Sequence, residues 1–417
     1  MKRIFISLAA IILTLALTAH LAFADSAGFA AESETTHTAQ TPFDKKYVSI
    51  DWHSPQGENV GVPLPFEEYL LLPTLNKVNK LSEKDGKIIA SAELDEKVSV
   101  SSRGVIADGV LIQPTRTAIY AIDPADMSVL RSRTFGEIVT DVAYADGLAY
   151  FGFKNGEKYG FCCADISKDF EIVREYASEK PVTSPAIIGG NVVFGAGEKL
   201  VVITESGFEE NDAGAGITYV FAGKYAVFMC CSNGELRKLR LDDDGKAEED
   251  SLGICELGGE LTAPVGVDNH IYVGSSDGFF VIDGLNMDVT KEFPDLKNAS
   301  EPVLTIGNGV RAYTAAPHSD PDGECWYLYS VLDTDESQTI SELAKIIDFT
   351  GGKTAVSESG RMFFRDAKGQ VWAISESKPS VILGIIKVVL VFAILIMLIL
   401  ILRAWAKNRQ AKRPPEY

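Results

Sequence analysis

The chain has 417 residues, 46% of them hydrophobic and 23% charged, which excludes a wholly disordered or fibrous protein. Its 39 Lys and Arg against 58 Asp and Glu give a net charge of −19. That excludes docking onto a nucleic-acid backbone, because phosphates need a basic surface. Six cysteines are too few for a disulfide scaffold.

The first 24 residues read as a secretory signal. Lys2 and Arg3 precede an apolar run from Ile4 to Leu17, and Ala22-Phe23-Ala24 offers small residues for cleavage before Asp25. An uncleaved anchor is the alternative. No cysteine follows the run to accept a lipid. Residues 25–45 carry no hydrophobic period in their Ala, Ser, Thr and Glu, and are expected to form a flexible leader.

From residue 46 a pattern recurs: an apolar strand, a tight polar or glycine turn, a second apolar strand, then two more strands ending in polar residues. The turns fall at 67, 108, 146, 189, 222, 268, 308 and 359, about 42 residues apart. Four short strands at that period are the arithmetic of a β-propeller blade. Asp108-Gly109 and Asp146-Gly147 fit two-residue hairpins. No long amphipathic helix precedes residue 380, so a helical solenoid is excluded. The last unit, Thr354 to Ser375, supplies only three good strands, while Tyr47 to Trp52 is a strand without a unit. Pairing the two would close the ring and remove two sheet edges. The fold expected is all-β: an eight-bladed propeller over residues 46–376, closed by the N-terminal strand, with seven blades as the alternative.

Val381 to Leu402 is apolar except for Lys387. As a helix it would span roughly 33 Å, enough for a hydrocarbon core. Arg403, Lys407, Arg409, Lys412 and Arg413 follow and belong on the cytoplasmic side. A transmembrane helix over 381–402 with a basic cytoplasmic tail over 403–417 is expected. This makes a single-pass protein of the cell membrane, its ectodomain outside the cytoplasm. Lys387 either snorkels to the outer headgroups or meets a partner helix.

The Pro-led strand, the Tyr-Val-Gly strand, the Ser-Asp-Gly loop and the strand ending in Asp are clearest from Thr262-Ala263-Pro264 to Asp283. They resemble the pyrroloquinoline-quinone-like (PQQ-like) repeat. Relatives of that kind include quinoprotein alcohol dehydrogenases and the non-enzymatic propeller lipoprotein of the outer-membrane barrel-assembly machinery. The resemblance implies fold more firmly than activity. In the dehydrogenases a tryptophan and a disulfide between adjacent cysteines sandwich the quinone, and acidic and amide groups hold calcium. Cys162-Cys163 and Cys230-Cys231 are adjacent here, but lie in apolar strands whose neighbouring side chains face opposite ways. Packed or unpaired thiols, a cross-blade bridge and an adjacent-residue bridge all stay open. Cys255 and Cys325 are isolated. Trp52, Trp326 and Trp372 sit in no recognisable cofactor motif.

His37, His53, His270 and His318 lack paired metal-ligand spacing. Asp242-Asp243-Asp244-Gly245 and Asp320-Pro321-Asp322-Gly323 resemble pieces of a calcium loop without its full ligand set, and read as solvated hairpin tips. No phosphate loop, nucleophile elbow or triad is visible. No catalytic, cofactor-binding or metal-binding residue is assigned, and the chain reads as more a binding protein than an enzyme. The function expected is an anchored extracytoplasmic scaffold or receptor for a protein or small ligand. The insertion from Ala315 to Cys325, with His318, Asp320 and Asp322, is the candidate contact region. The alternative is a quinoprotein oxidoreductase using pyrroloquinoline quinone with calcium; a purely structural envelope component is a third reading.

Overall fold

The computed structural model describes residues 38–39, 48–55, 57, 59–307, 309–320, 323–334, 337–346, 353–366 and 368–376. The expected signal segment, membrane span and basic tail lie outside these residues. Among the described residues no helix is long and apolar enough to cross a membrane, and the helical content is one 3-10 turn, Ile166–Lys168.

The strands sort into eight sheets of the same design. Seven blades follow in order over residues 64–93, 105–134, 137–178, 186–212, 217–256, 265–293 and 303–346. The eighth takes its first three strands from Ala355–Val356, Met362–Arg365 and Val371–Glu376, and its outer strand from Val48–His53. Six of the turn positions named above, 67, 108, 146, 189, 268 and 359, lie between the first and second strands of a blade; 222 ends its first strand, and 308 lies outside the described residues. At two of them Asp108-Gly109 and Asp146-Gly147 adopt positive φ (50° and 72°, 50° and 80°), the backbone of a type I′ hairpin.

Burial explains the composition of the strands. The third strand of blade 2, Ala118–Ile122, is buried at every residue because a neighbouring blade covers each face. Such strands are continuous apolar runs, as in any sheet buried on both sides. The alternation of period two survives in outer strands such as Glu171–Ser178, where every second side chain is exposed.

Eight apolar cores fill the eight gaps between blades. Leu71 packs toward blade 2 with Leu111 and Tyr120, whereas its neighbours Leu70 and Leu72 pack toward blade 8 with Phe363 and Ala373. That eighth core, between the last blade and the first, closes the ring. Trp52 of the closing strand lies in it, 9% exposed, with its indole N–H donating to the Glu83 carbonyl at 2.8 Å. The buried Glu83 carboxylate accepts from Ser357 (2.9 Å) and Arg361 (3.2 Å) of blade 8. Arg361 also pairs with Asp51 of the closing strand at 2.8 Å.

The outer edges are protected by repetition. Ile89, Leu130, Val173, Thr290 and Leu343 are each skipped in the pairing of third and outer strands, so five blades carry a bulge there. A bulge twists an edge away from intermolecular pairing.

First strands of adjacent blades touch from blade 2 through blade 5 and from blade 7 through blade 8 to blade 1, around the axis. Each first strand begins on one face of the ring, which also carries the connections between blades and the turns between second and third strands. The opposite face carries the other turns. The strand Val371–Glu376 runs toward this turn face. The leader expected over 25–45 departs from expectation at one place. Thr38–Ala39 form a parallel pair with the first strand of blade 7, Thr38 opposite Leu304 and Ala39 opposite Thr305.

Candidate functional site: the connection face

A hydroxyl ahead of each of several first strands fixes the backbone at the mouth of the axis. Thr140 accepts from Gly152 N (2.7 Å), Thr183 from Gly195 N (2.8 Å), Thr262 from Gly274 N (3.1 Å) and Ser300 from Ala315 N (2.9 Å). The close approach needs glycine: a Cβ on Gly152 would lie 2.6 Å from the Thr140 methyl, and one on Gly195 2.8 Å from that of Thr183. The residue after each hydroxyl is thereby held at the axis. Asp141, Ser184 and Glu301 occupy this place; Arg103 follows Ser102, whose own hydroxyl makes no such bond among the described residues.

These side chains meet across the ring. Arg103, leading into blade 2, donates from its backbone to Asp141 Oδ1 of blade 3 at 2.7 Å. Its guanidinium donates to the Thr354 carbonyl of blade 8 at 3.0 Å and lies 3.6 Å from the Glu301 carboxylate of blade 7. A side chain touching blades 7 and 8 from blade 2 must cross the axis. Lys353 of blade 8 pairs with Asp141, and the Asp141 N–H donates to Ser184 Oγ at 3.0 Å. Two cations and two carboxylates thus bridge four blades.

The two acids differ in environment. Burial works to raise the Asp141 carboxyl, but Lys353 and Arg103 beside it hold it below the usual carboxylate range. Burial raises Glu301 above that range, and Arg103 and Lys353 offset only part of the shift. Nearby Tyr219 is pushed up to about 12 by burial and by the Glu301 charge.

The candidate contact region of blade 7 lies on the same face and is an extended hairpin. Its strands Gly309–Asp320 and Gly323–Thr334 have 12 residues each, against eight for the longest second strand in the other blades, Leu148–Asn155. Beyond Ala315, whose carbonyl accepts from Ser300 N, the ladder continues to the pair Asp320–Gly323, roughly 16 Å further. The segment 315–325 is therefore mostly regular ladder. His318 sits opposite Cys325, its Nδ1 3.0 Å from the Tyr329 hydroxyl, its ring 4.6 Å from that of Tyr327, and 3.9 Å from Glu342. Asp320 is the last paired residue of its strand; Asp322 lies outside the described residues.

Cys162 faces the core between blades 2 and 3, and Cys163 the core between blades 3 and 4. Cys230 and Cys231 are likewise divided between the cores toward blades 6 and 4. None of the six cysteines is joined in a disulfide. The adjacent pairs do not supply the disulfide cap that the quinoprotein resemblance implies. Among the described residues no three His, Cys, Asp or Glu side chains are placed to hold a metal ion. Asp242 lines a cleft of about 990 Å³ between blades 4 and 5 on the turn face. Its carboxylate accepts from the N–H groups of Asp244 (3.0 Å) and Lys246 (2.8 Å), so it shapes its own turn.

The quartet at the axis escapes sequence reading, because Arg103, Asp141, Glu301 and Lys353 are separated by up to 250 positions and form no local motif. The faint signal available is the recurring Ser or Thr one residue earlier. His270 is also more engaged than its isolation suggests. Its Nδ1 is 2.7 Å from Asp333 of blade 7, which accepts from Tyr272 as well, at 2.6 Å.

No protein-family model matches the chain, and no curated protein matches its sequence. Solved propellers match its fold. The computationally designed Ika8 protein superposes with a TM-score of 0.59 at 13% identity, over 78% of this chain and 99% of its own. BamB from Moraxella catarrhalis gives 0.54 at 13%, over 79% and 99%. Sqt1 from Saccharomyces cerevisiae gives 0.55 at 11%, over 83% and 100%. At these identities the likeness is one of fold.

Proposed function

We propose that the protein is a membrane-anchored extracytoplasmic propeller that binds a protein partner as a scaffold or receptor. The observation that carries this reading is the blade 7 hairpin. It is a rigid ladder running beyond its own blade on the connection face, with His318, Tyr327 and Tyr329 clustered along it. Aromatic groups on a stiff element lose little entropy on binding. The likeness in fold to BamB fits the PQQ-like repeat reading of the ring. The apolar segment 381–402 supports the anchor.

The test replaces residues 315–325 by a two-residue turn in the full chain, extracted from host membranes. Species retained by the parent and by this variant are compared by quantitative mass spectrometry. A near-stoichiometric protein retained by the parent and lost from the variant is expected. Identical retention by both would refute the hairpin as the contact. Adding pyrroloquinoline quinone and calcium to the parent tests the oxidoreductase alternative, for which a stoichiometric complex would be required.

A further inference from the structure

The leader pairs with the axial edge of one of the eight first strands. The first strand of blade 7, Val303–Gly307, is bonded on one side to Gly309–Tyr313 and meets Thr38–Ala39 on the axial side. Parallel pairing with the leader uses two of its five residues. Val303, Ile306 and Gly307 have no leader partner among the described residues.

A second observation concerns the same strand. Thr305 is 1% exposed, and its Oγ1 has no hydrogen-bond partner among the described residues. A buried hydroxyl without a partner is destabilising, because it has lost its bonds to water. The leader residue opposite it is Ala39, which has no polar side-chain atom to offer. Among the described residues the leader therefore meets two of the five edge positions and leaves the buried hydroxyl unanswered. A longer extended segment with a polar residue at that register would meet more of the edge and answer the hydroxyl. Strand addition supplies affinity through main-chain bonds and specificity through alternate side chains.

We propose that the axial edge of Val303–Gly307 is a strand-addition site for an extended peptide, and that the chain's own leader occupies it as a weak competitor in cis. This site is separate from the blade 7 hairpin tip and does not depend on the partner proposed above.

The test uses the full chain with Thr38→Pro and Ala39→Pro together, which removes both leader N–H groups while leaving the closing strand Val48–His53 intact. The probe is a fluorescein-labelled peptide of residues 34–44, read by polarisation, with thermal unfolding of both proteins as a folding control. A tethered segment competes at an effective concentration near millimolar. The proline variant should therefore bind the probe at least tenfold more tightly than the parent protein. A probe carrying Ala39→Ser should bind more tightly still. Equal affinity of the two proteins, or no binding to a proline variant that melts like the parent, overturns the proposal. Because the readout is a defined peptide, it stands or falls apart from the hairpin-swap experiment.

Discussion

Replacing Arg103 by alanine tests whether the charge quartet clamps the ring. The side chain is 9% exposed and reaches Glu301 of blade 7 and the Thr354 carbonyl of blade 8. Alanine keeps the backbone bond to Asp141, and Asp141 keeps Lys353, so the loss falls on Glu301 and on the carbonyl. Removing one partner of a buried pair costs about 3–5 kcal/mol, and the retained Asp141 contacts favour the lower end. With an unfolding entropy near 2.1 cal/mol/K per residue over roughly 330 ring residues, 3 kcal/mol lowers Tm by about 4 °C. Circular dichroism melts of the detergent-solubilised protein would measure it.

The deficit should also depend on pH. Glu301 has a raised folded pKa, so the native state holds its proton more tightly than the unfolded chain. That contribution is complete below the unfolded value and is lost as pH rises through the folded one. Without Arg103 the ionised form loses its main offset, so the deficit is larger at pH 7.5 than at pH 5, and Glu301→Gln in the same background should relieve it. A variant melting within 1 °C of the parent at pH 7.5, or one whose deficit ignores pH, would refute the clamp.

Two further outcomes follow from the seams between blades. Trp52→Ala should cost about 3–5 kcal/mol, as for other buried large side chains. Hydrogen exchange should then rise first in 48–53 and 371–376, and a uniform rise over all blades would contradict closure at this seam. His270→Ala should remove a contribution of about 1 kcal/mol, modest because the imidazole is 40% exposed. The hydrogen bond to Asp333 raises the His270 pKa against the effect of burial, and Asp268 and Asp283 add to the rise. The stabilisation is therefore full below the unfolded value and fades as pH rises through the folded one. The variant should fall short of the parent at pH 6 and match it at pH 9; the same deficit at both would refute the charged pair.

Fold and blade count were legible in the sequence because each blade is a local object. Its turns need residues that accept positive φ, such as Asp108-Gly109, and its middle strands need unbroken apolar runs because both faces are covered. Those demands are met within about 40 residues and repeat along the chain. The unpaired strand Tyr47 to Trp52 likewise announced the closure, since a strand left over at one end matches a strand missing at the other. The separation of Cys162 from Cys163 followed from strand geometry alone.

The axis was a matter for tertiary structure. Arg103, Asp141, Glu301 and Lys353 become neighbours only when the ring closes; the lowered Asp141 owes its shift to the charges of Lys353 and Arg103 and the raised Glu301 to burial, and no single blade creates either. The pairing of Thr38–Ala39 with Leu304–Thr305 is of the same kind. A two-residue parallel contact across some 260 positions leaves no period, and the leader's composition gives no sign of the edge it meets. Local propensity and periodicity were enough to specify the blades; the groups at the centre were decided by which blades face one another.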